Sequence, residues 1–319
     1  MPLLVRHTLS TSADSEGRSS RSKIDLVGMA SSLPTHGRRY HDGVPELPEV
    51  ETIRRDLERR VVGRRIMAVR IPPETGKPVP VLKSIDEASF REGVVGARIS
   101  ALERRGKYLA IRLDTASFIV VHLRMTGSLL HRAADAAADR FLRAVLLLDD
   151  GTELRFTDIR KFGGLWLVDD VSEAVATGLG PEPLSEGFTV AVLADALKGR
   201  KTPVKSVLLD QSRIAGIGNI YADEACFAAG IDPRRLAGLI KKPQVVRLHK
   251  AIHDVLLFGV ESRGASFRDY QDVEGEPGSM QMHVKVFRRT GKPCYVCGAT
   301  IQRVRLGGRS THFCPKCQR

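Results

Sequence analysis

The chain has 319 residues and carries 50 Lys and Arg against 37 Asp and Glu, for a formal net charge of +13. This length allows two domains with buried cores. The positive charge favours a polyanionic partner, either a nucleic acid or an acidic membrane surface. No apolar run is long enough to cross a bilayer, and the leading MPLLV is too short for a secretory signal. The sequence therefore favours a soluble cytoplasmic protein over a membrane-spanning or secreted one.

Residues 1–44 differ in character from the rest of the chain. They are rich in Ser, Arg and Gly, show no sustained periodicity and contain SEGRSSRS, which is typical of disorder. From Pro48 onward, apolar residues recur on one helical face while charged residues occupy the other, and Gly63 is placed to end the helix. The apolar positions are Val50, Ile53, Leu57 and Val61. The sequence therefore predicts an amphipathic helix that follows a disordered segment.

Short apolar runs dominate the chain between about residues 66 and 170. They read ARISALE, YLAIRL, FIVVHL, FLRAVLLL, ELRFTD and LWLVDD, and turn signals such as Asp150-Gly151 separate them. A β-sandwich is the natural account of such a domain. The following VSEAVATGLGPEPLSEG breaks the strand pattern and is predicted to link the sandwich to helices. One helix starts at Val204, another contains Tyr221, and SRIAGIGN forms the tight connector between them.

Four of the five cysteines lie at the C-terminus, as Cys294-x-x-Cys297 and Cys314-x-x-Cys317. This is the spacing of a tetrahedral four-thiolate zinc site, and four protein ligands leave no open position for catalysis. Two redox pairs or disulfides are the alternative, which a reducing compartment disfavours. The sequence therefore predicts one structural Zn²⁺. Cys226 is most simply a buried apolar residue.

Two segments have features that suit nucleic-acid phosphates. In RIAGIGNIYADE, two glycines precede a helix start, and Asn219 is the predicted N-cap, where exposed backbone N–H groups can bind a phosphate. Between the cysteine pairs, Gly307-Gly308 predicts a two-residue hairpin turn with Arg309 beside its tip. Taken alone, the first segment is a glycine turn and the second a solvated charged hairpin. The charge excess favours a basic finger that enters a groove.

Two further motifs, HLRMTGS and TDIRKFGG, place Met125, Arg160 and Phe162 at strand ends or in loops. Flexible or aromatic side chains there can wedge into a base stack, and an arginine can face the orphaned partner base. Taken alone, Met125 and Phe162 are read as core residues. Another motif, PELPEVE, is only partly explained by the helix macrodipole, which accounts for acidic residues in the first turn but not for Pro45-Glu46.

Seven motifs follow one another in order between Pro45 and Arg319. They are PELPEVETIRRDL, RRGKYL, HLRMTGSL, TDIRKFGG, LGPEPL, LLLDQSRIAGIGNIYADEACFAAGI and GKPCYVCGATIQRVRLGGRSTHFCPKC. Together they resemble the bacterial formamidopyrimidine-DNA glycosylase family. The resemblance implies an α+β multidomain fold with a β-sandwich and leading helix (residues 45–172), a helix-two-turn-helix domain (173–289) and a four-cysteine zinc finger (290–319). It also implies a cytoplasmic, nucleoid-associated monomer that grips bent double-stranded DNA with one nucleotide flipped out.

The chemistry that the resemblance implies is base excision followed by strand cleavage. Pro45, as the mature N-terminal residue, attacks C1′ of the damaged nucleotide, the base leaves, and the iminium undergoes β- and δ-elimination. Glu46 moves protons at the sugar ring oxygen. An α-amino group suits the attack because its pKa is about 7.7 to 8.0 in model peptides, against about 10.4 for lysine.

The resemblance also assigns DNA contacts. Lys107, which alone is read as a solvated loop lysine, contacts the lesion strand. Asn219 and Arg309 grip phosphates. Three further residues fill the gap left by the flipped base: Met125, Arg160 and Phe162.

Two segments depart from the family pattern. Phe287-Arg288 stands where many members have Tyr and Gly, which is closer to the endonuclease VIII type, and EGEPGSMQMH matches loosely at the position that covers the extruded base. PELPE and LGPEPL favour the oxidised-purine branch. We therefore expect 8-oxoguanine and formamidopyrimidines as substrates, with oxidised pyrimidines as the alternative.

The third departure is the position of Pro45 inside the chain. A proline nitrogen in a peptide bond has a delocalised lone pair and cannot attack. We expect residues 1–44 to be absent from the working protein, because the valine codon of Val44 can serve as a bacterial start. A cleaved leader is the rival explanation. If the extension stays attached, the chain is expected to be a non-catalytic protein that binds damaged DNA.

Overall fold

The structure, a computed structural model, describes residues 44–73, 79–175 and 178–319. The extension predicted to be disordered, residues 1–44, lies outside the described residues apart from Val44. None of the helices in the described part of the chain has the length and apolar character that crossing a membrane requires.

The leading helix, α1, spans Leu47–Val61 as the periodicity predicts. Its four predicted apolar residues are at most 1% exposed. Pro48 stands in the first turn, where its missing N–H costs no hydrogen bond, and Arg59 and Arg60 complement the negative end of the helix dipole. Gly63 follows with a φ of 87°, a left-handed conformation that ends the helix.

Eight strands form two four-stranded antiparallel sheets. The first sheet has the order β1 (Ile66–Arg70), β6 (Leu142–Leu148), β7 (Thr152–Asp158) and β5 (Gly127–Ala133). The second has the order β2 (Ile99–Arg105), β3 (Tyr108–Leu113), β4 (Phe118–His122) and β8 (Gly164–Val168). Side chains from both sheets and from α1 share one apolar core. The predicted β-sandwich with a leading helix is confirmed.

The sandwich is accompanied by two short helices, which the strand pattern does not indicate. They are α2 (Glu87–Val94) and α3 (Val171–Ala174). Asp86 caps α2 by accepting a hydrogen bond from the backbone N–H of Ser89, and Asp170 caps α3 in the same way through Ser172. The segment predicted as a plain linker therefore begins with a helical turn.

The second core belongs to four helices that follow the sandwich. They are α4 (Val190–Leu197), α5 (Val204–Leu209), α6 (Asn219–Ala228) and α7 (Lys242–Glu261). Single turns of 3₁₀-helix lie at Ala237–Leu239 and Met280–Met282. Residues 210–218 connect α5 to α6, as predicted. Cys226 is fully buried in this core, as its apolar surroundings in the sequence indicate.

The segment after α7 crosses from the helices to the sandwich. Val273 and Tyr270 are buried in the core of the sandwich, at 0% and 5% exposure. The backbone N–H of His131, on the edge strand β5, donates to the carbonyl oxygen of Val273 at 2.8 Å. The two cores are therefore tied together on this side of the molecule.

The C-terminal finger is a hairpin of β9 (Gln302–Leu306) and β10 (Arg309–Phe313). Gly307 and Gly308 form its turn with φ values of 51° and 79°. Two left-handed residues in succession are the signature of the tight turn that the Gly-Gly pair predicts.

Candidate active site

The residue before α1 is inserted into the beginning of α6. Glu46 is 2% exposed, and its carboxylate accepts hydrogen bonds from the backbone N–H groups of Gly218 at 2.7 Å and Ile220 at 2.8 Å. These are N–H groups that a helix leaves without an internal partner. The sequence predicts Asn219 as the N-cap, but Gly218 occupies the cap position and Asn219 is the first helical residue. The capping carboxylate comes from Glu46 instead.

The glycines of the connector make this approach possible. A Cβ at position 218 would lie 2.2 Å from Cδ of Glu46, so any side chain there would collide with the carboxylate. Gly216 has a φ of 84°, and its carbonyl oxygen accepts a hydrogen bond from the N–H of Leu47 at 3.0 Å. The connector is therefore shaped to receive the start of α1.

A second buried carboxylate, Glu49, holds Glu46 in place. It accepts hydrogen bonds of 2.8 Å each from the N–H of Glu46, the phenol O–H of Tyr221 and the N–H of Ala265. Burial raises the pKa of Glu49. The sequence reading attributes this residue to the helix macrodipole alone and misses its contacts, because the partners lie far along the chain.

One cavity of about 800 Å³ brings most of the predicted site residues together. Six of them line it: Glu46, Lys107, Met125, Phe162, Asn219 and Arg309. Pro45 is buried between Val44 and Glu46, which both line the cavity. Arg160 lies beside the cavity, with its guanidinium carbon 4.8 Å from the centre of the Phe162 ring.

The cavity combines two acidic residues, Glu46 and Asp210, with three cationic ones, Lys107, Arg124 and Arg309. Burial raises the pKa of Glu46 to about 7, although the nearby charge of Lys107 opposes that rise. Burial also lowers the pKa of Lys107. At neutral pH, Glu46 therefore holds a proton in a substantial fraction of molecules and can donate or accept one. Lys107 is half-buried in the turn after β2, not a solvated loop lysine.

His122 also lines the cavity and was not singled out in the sequence. Its Nδ1 accepts a hydrogen bond from the N–H of Arg124 at 2.9 Å, which places the ring proton on Nε2. Burial, together with the charges of Arg124 and Lys107, lowers the pKa of His122 to about 3. The ring is therefore neutral. The signal in the sequence that could have identified His122 is its position at the end of a predicted strand, three residues before Met125.

Two turns carry the residues predicted to fill a gap in DNA, and a single carboxylate joins them. Asp158 is buried, and it accepts hydrogen bonds from the hydroxyl of Thr126 in the first turn (residues 123–127) and from the N–H of Gly163 at 2.7 Å in the second (158–163). Met125 is half-buried and Phe162 is 51% exposed. Neither is a core residue, so the interpretation of Met125 and Phe162 as core residues, which their motifs favour when taken alone, is wrong.

A buried ion pair connects the finger to the helices. Nζ of Lys205, on α5, lies 2.7 Å from Oδ1 of Asp223, on α6, and donates to the carbonyl oxygen of Ser310, on β10, at 2.7 Å. The other carboxylate oxygen of Asp223 accepts from the N–H of His312 at 2.9 Å. Lys205 and Asp223 are both fully buried. Asp223 lies one helical turn after Asn219, and Ser310 follows Arg309, so this network sets the spacing of the two predicted phosphate contacts.

The four cysteines lie together at the base of the finger. Their sulfur atoms are all within 4.8 Å of one another, with Sγ–Sγ distances of 3.8 Å for Cys294–Cys317 and 3.4 Å for Cys297–Cys314. A tetrahedron with Zn–S bonds of about 2.3 Å has edges of about 3.8 Å. The donor set and spacing therefore fit one structural zinc ion.

Models of three protein domains match successive parts of the chain. The formamidopyrimidine-DNA glycosylase N-terminal domain matches residues 44–165, the H2TH domain of the same enzyme matches 179–271, and the zinc finger found in FPG and IleRS matches 291–319. A formamidopyrimidine-DNA glycosylase of Symbiobacterium thermophilum is 49% identical over 86% of this chain and 89% of that protein. The chain belongs to the formamidopyrimidine-DNA glycosylase family. It has one structural zinc ion bound by the four cysteines.

Other members of the formamidopyrimidine-DNA glycosylase family are similar over the same share of the chain. The Desulfitobacterium hafniense enzyme is 45% identical, covering 86% of this chain and all of that protein. A Lactococcus lactis Fpg in complex with DNA that contains an abasic site is 32% identical, with a TM-score of 0.78 over 86% of this chain and 99% of that one. MutM (FPG) from Thermus thermophilus is 38% identical, with a TM-score of 0.75 over 86% and 98%.

Proposed function

We propose that this chain excises oxidised purines from duplex DNA and cleaves the abasic strand, with Pro45 as its nucleophile. The observation that carries the proposal is the cavity, in which Glu46, Lys107, Asn219 and Arg309 converge from distant parts of the chain directly beside Pro45. The family is one of DNA glycosylases that also act as lyases. A relative solved with DNA that contains carbocyclic 8-oxoguanine is 33% identical, with a TM-score of 0.77 over 86% of this chain.

In the proposed reaction, the nitrogen of Pro45 uses its lone pair to attack C1′ of the flipped nucleotide. The bond from C1′ to the base breaks, and the base leaves with the bonding electrons and gains a proton, which is balanced by the proton that the Pro45 nitrogen loses when it bonds to C1′. Glu46 donates its proton to the ring oxygen as the sugar opens to an iminium. Loss of a C2′ proton then expels the 3′ phosphate, and δ-elimination expels the 5′ phosphate. A carboxyl whose pKa is about 7 can supply and recover a proton at neutral pH.

The remaining residues hold the DNA in the proposed complex. Asn219 and Arg309 bind phosphates, and Lys107 holds the lesion strand beside Glu46. Met125 and Phe162 enter the base stack from two turns that Asp158 joins, so they are presented as one rigid unit.

The reactive form of the protein is proposed to begin at Pro45. In the printed chain the nitrogen of Pro45 is acylated by Val44, so its lone pair is delocalised and cannot attack. Removal of residues 1–44 frees a secondary amine beside the proton donor. Initiation at the codon of Val44, followed by removal of the initiator methionine, would produce this form.

Borohydride trapping tests the proposal, because it reduces an iminium to a stable covalent link. The 319-residue protein and a form that begins at Pro45 are mixed with a duplex that contains 8-oxoguanine. We expect only the shorter form to become linked, through Pro45. If both forms bind the duplex and neither becomes linked, the catalytic role of Pro45 is wrong and the protein is a damaged-DNA-binding protein.

Lesion preference is tested with the same form on two duplexes. We expect faster release of 8-oxoguanine than of an oxidised pyrimidine at equal enzyme concentration. The opposite order would favour the endonuclease VIII-like alternative.

We also propose that the protein acts as a monomer at the bacterial nucleoid, in the cytoplasm. A single chain supplies every residue proposed for the site, and its net positive charge attracts DNA. Light scattering with and without a duplex checks the oligomeric state, and a 2:1 complex of protein with DNA would contradict it.

A further inference from the structure

Arg124 occupies a backbone conformation that arginine rarely adopts. Its φ is 55°, in the left-handed region, where a side chain other than glycine is strained. Such strain persists only where neighbouring contacts impose it. Here the N–H of Arg124 donates to Nδ1 of His122 at 2.9 Å, and the turn closes through the N–H of Gly127 and the carbonyl oxygen of Leu123 at 3.0 Å. Both contacts hold Arg124 in this conformation.

The left-handed turn brings the Arg124 side chain to the cavity. Arg124 lines the cavity together with Glu46, Lys107 and Met125. Among the described residues, its guanidinium has no hydrogen-bond or ion-pair partner, although many arginines of this chain are paired with carboxylates. The side chain is exposed, so its charge is available to a ligand.

Position along the chain indicates what that ligand is. Arg124 directly precedes Met125, which is proposed to enter the base stack where the damaged nucleotide has left it. The group nearest to the gap that an exposed guanidinium can bind is a backbone phosphate of the DNA strand. A guanidinium group binds a phosphate well, through paired N–H donors.

We propose that Arg124 binds a DNA phosphate beside the displaced nucleotide, and that its left-handed backbone exists to aim the guanidinium there. This inference rests on the proposed function, because it requires DNA in the cavity. It adds a contact to those assigned to Lys107, Asn219 and Arg309, and it gives the strained turn a role.

The test is the salt dependence of binding to a duplex that contains a tetrahydrofuran abasic analogue, measured by fluorescence anisotropy with the full chain. Arg124→Gly removes the charge and suits a φ of 55°, so the turn should keep its shape. We expect binding about tenfold weaker at low salt. We also expect the slope of log K against log salt to be shallower by about one, since one phosphate contact contributes about 0.9 on duplex DNA.

Two further variants separate a specific contact from general charge. Arg112→Ala also removes one positive charge, on an exposed side chain of β3 outside the lining of the cavity, and should leave affinity and slope close to wild type. Arg124→Lys keeps the charge and should restore most of the slope.

The outcomes distinguish the two proposals. If the wild type binds the duplex and Arg124→Gly has the same affinity and slope, Arg124 does not contact a phosphate. A weaker Arg124→Gly with an unchanged slope also overturns the inference. If neither the wild-type full chain nor the wild-type form that begins at Pro45 binds the duplex, the proposed function is wrong.

Discussion

Replacing Lys205 with Met tests whether the buried ion pair positions the finger. Methionine has a similar length and no charge, so the change removes the ammonium while keeping most of the packing. Asp223 would stay fully buried and would keep its contacts with the N–H of His312 and, at 3.0 Å, with Nδ1 of the same residue, but it would lose the ammonium of Lys205. The hydrogen bonds from Lys205 to Ser310 and to the hydroxyl of Thr311 would also be lost. Breaking a buried pair on one side costs about 3–5 kcal/mol.

The loss of stability should appear first where the finger meets the helices. A chain with several cores need not unfold in one step, so a global unfolding curve is a poor measure. Hydrogen exchange of the backbone amides in β9 and β10 reports the local opening free energy directly. We expect faster exchange there in Lys205→Met and little change in the sandwich strands. Lys201→Met, four residues earlier and exposed, is the matched control.

The same variant should bind DNA more weakly because Arg309 is no longer held at a fixed distance from Asn219. Adding Asp223→Asn should restore part of the lost protection, with a coupling of about 2–3 kcal/mol, because the uncompensated carboxylate is then gone. The positioning argument is refuted if Lys205→Met weakens DNA binding while exchange in the hairpin stays at the wild-type rate. That result would show that the position of the finger does not depend on this ion pair.

Four further predictions follow from the site. Carbon-13 NMR titration of the Glu46 carboxyl should have its midpoint near pH 7, so the protonated form is lost as pH rises through that value; a midpoint near 4.5 would contradict the effect of burial. Gly218→Ala should abolish borohydride trapping in the form that begins at Pro45, because the new methyl group would collide with Glu46; full trapping would show that the connector can move aside. Cys297→Ser should release zinc and weaken DNA binding while circular dichroism of the sandwich persists, and unchanged affinity after zinc loss would show that the finger is not needed. Asp158→Asn should slow lesion excision at least tenfold, because it loosens the two turns that carry Met125 and Phe162. A wild-type rate would show that each turn keeps its conformation without Asp158.

The parts of the fold that the sequence predicts well are those determined by local patterns. The spacing of apolar residues in α1, the Gly307-Gly308 turn and the paired cysteines each depend on residues that are close along the chain. The helix α2 and the turn α3 were missed because each is short and begins at a single capping aspartate, which a strand-rich context obscures. Asn219 was assigned to the N-cap because asparagine is a preferred cap, but Gly218 occupies that position and the capping carboxylate comes from Glu46.

What the sequence alone could not predict is which distant groups meet in the site. The residue that caps α6 is Glu46, and nothing in the composition of either segment indicates that partner. Only the resemblance to a family assigned Glu46 and Asn219 to the same DNA complex, and it did so without giving the contact. The structure supplies the reason. The three helix N–H groups near Gly218 need an acceptor, and the carboxylate that provides it is the group proposed to carry the proton. Glu46 is therefore held as a proton donor only when the helices are folded onto the sandwich. A variant in which the two cores separate should lose excision activity before either core unfolds.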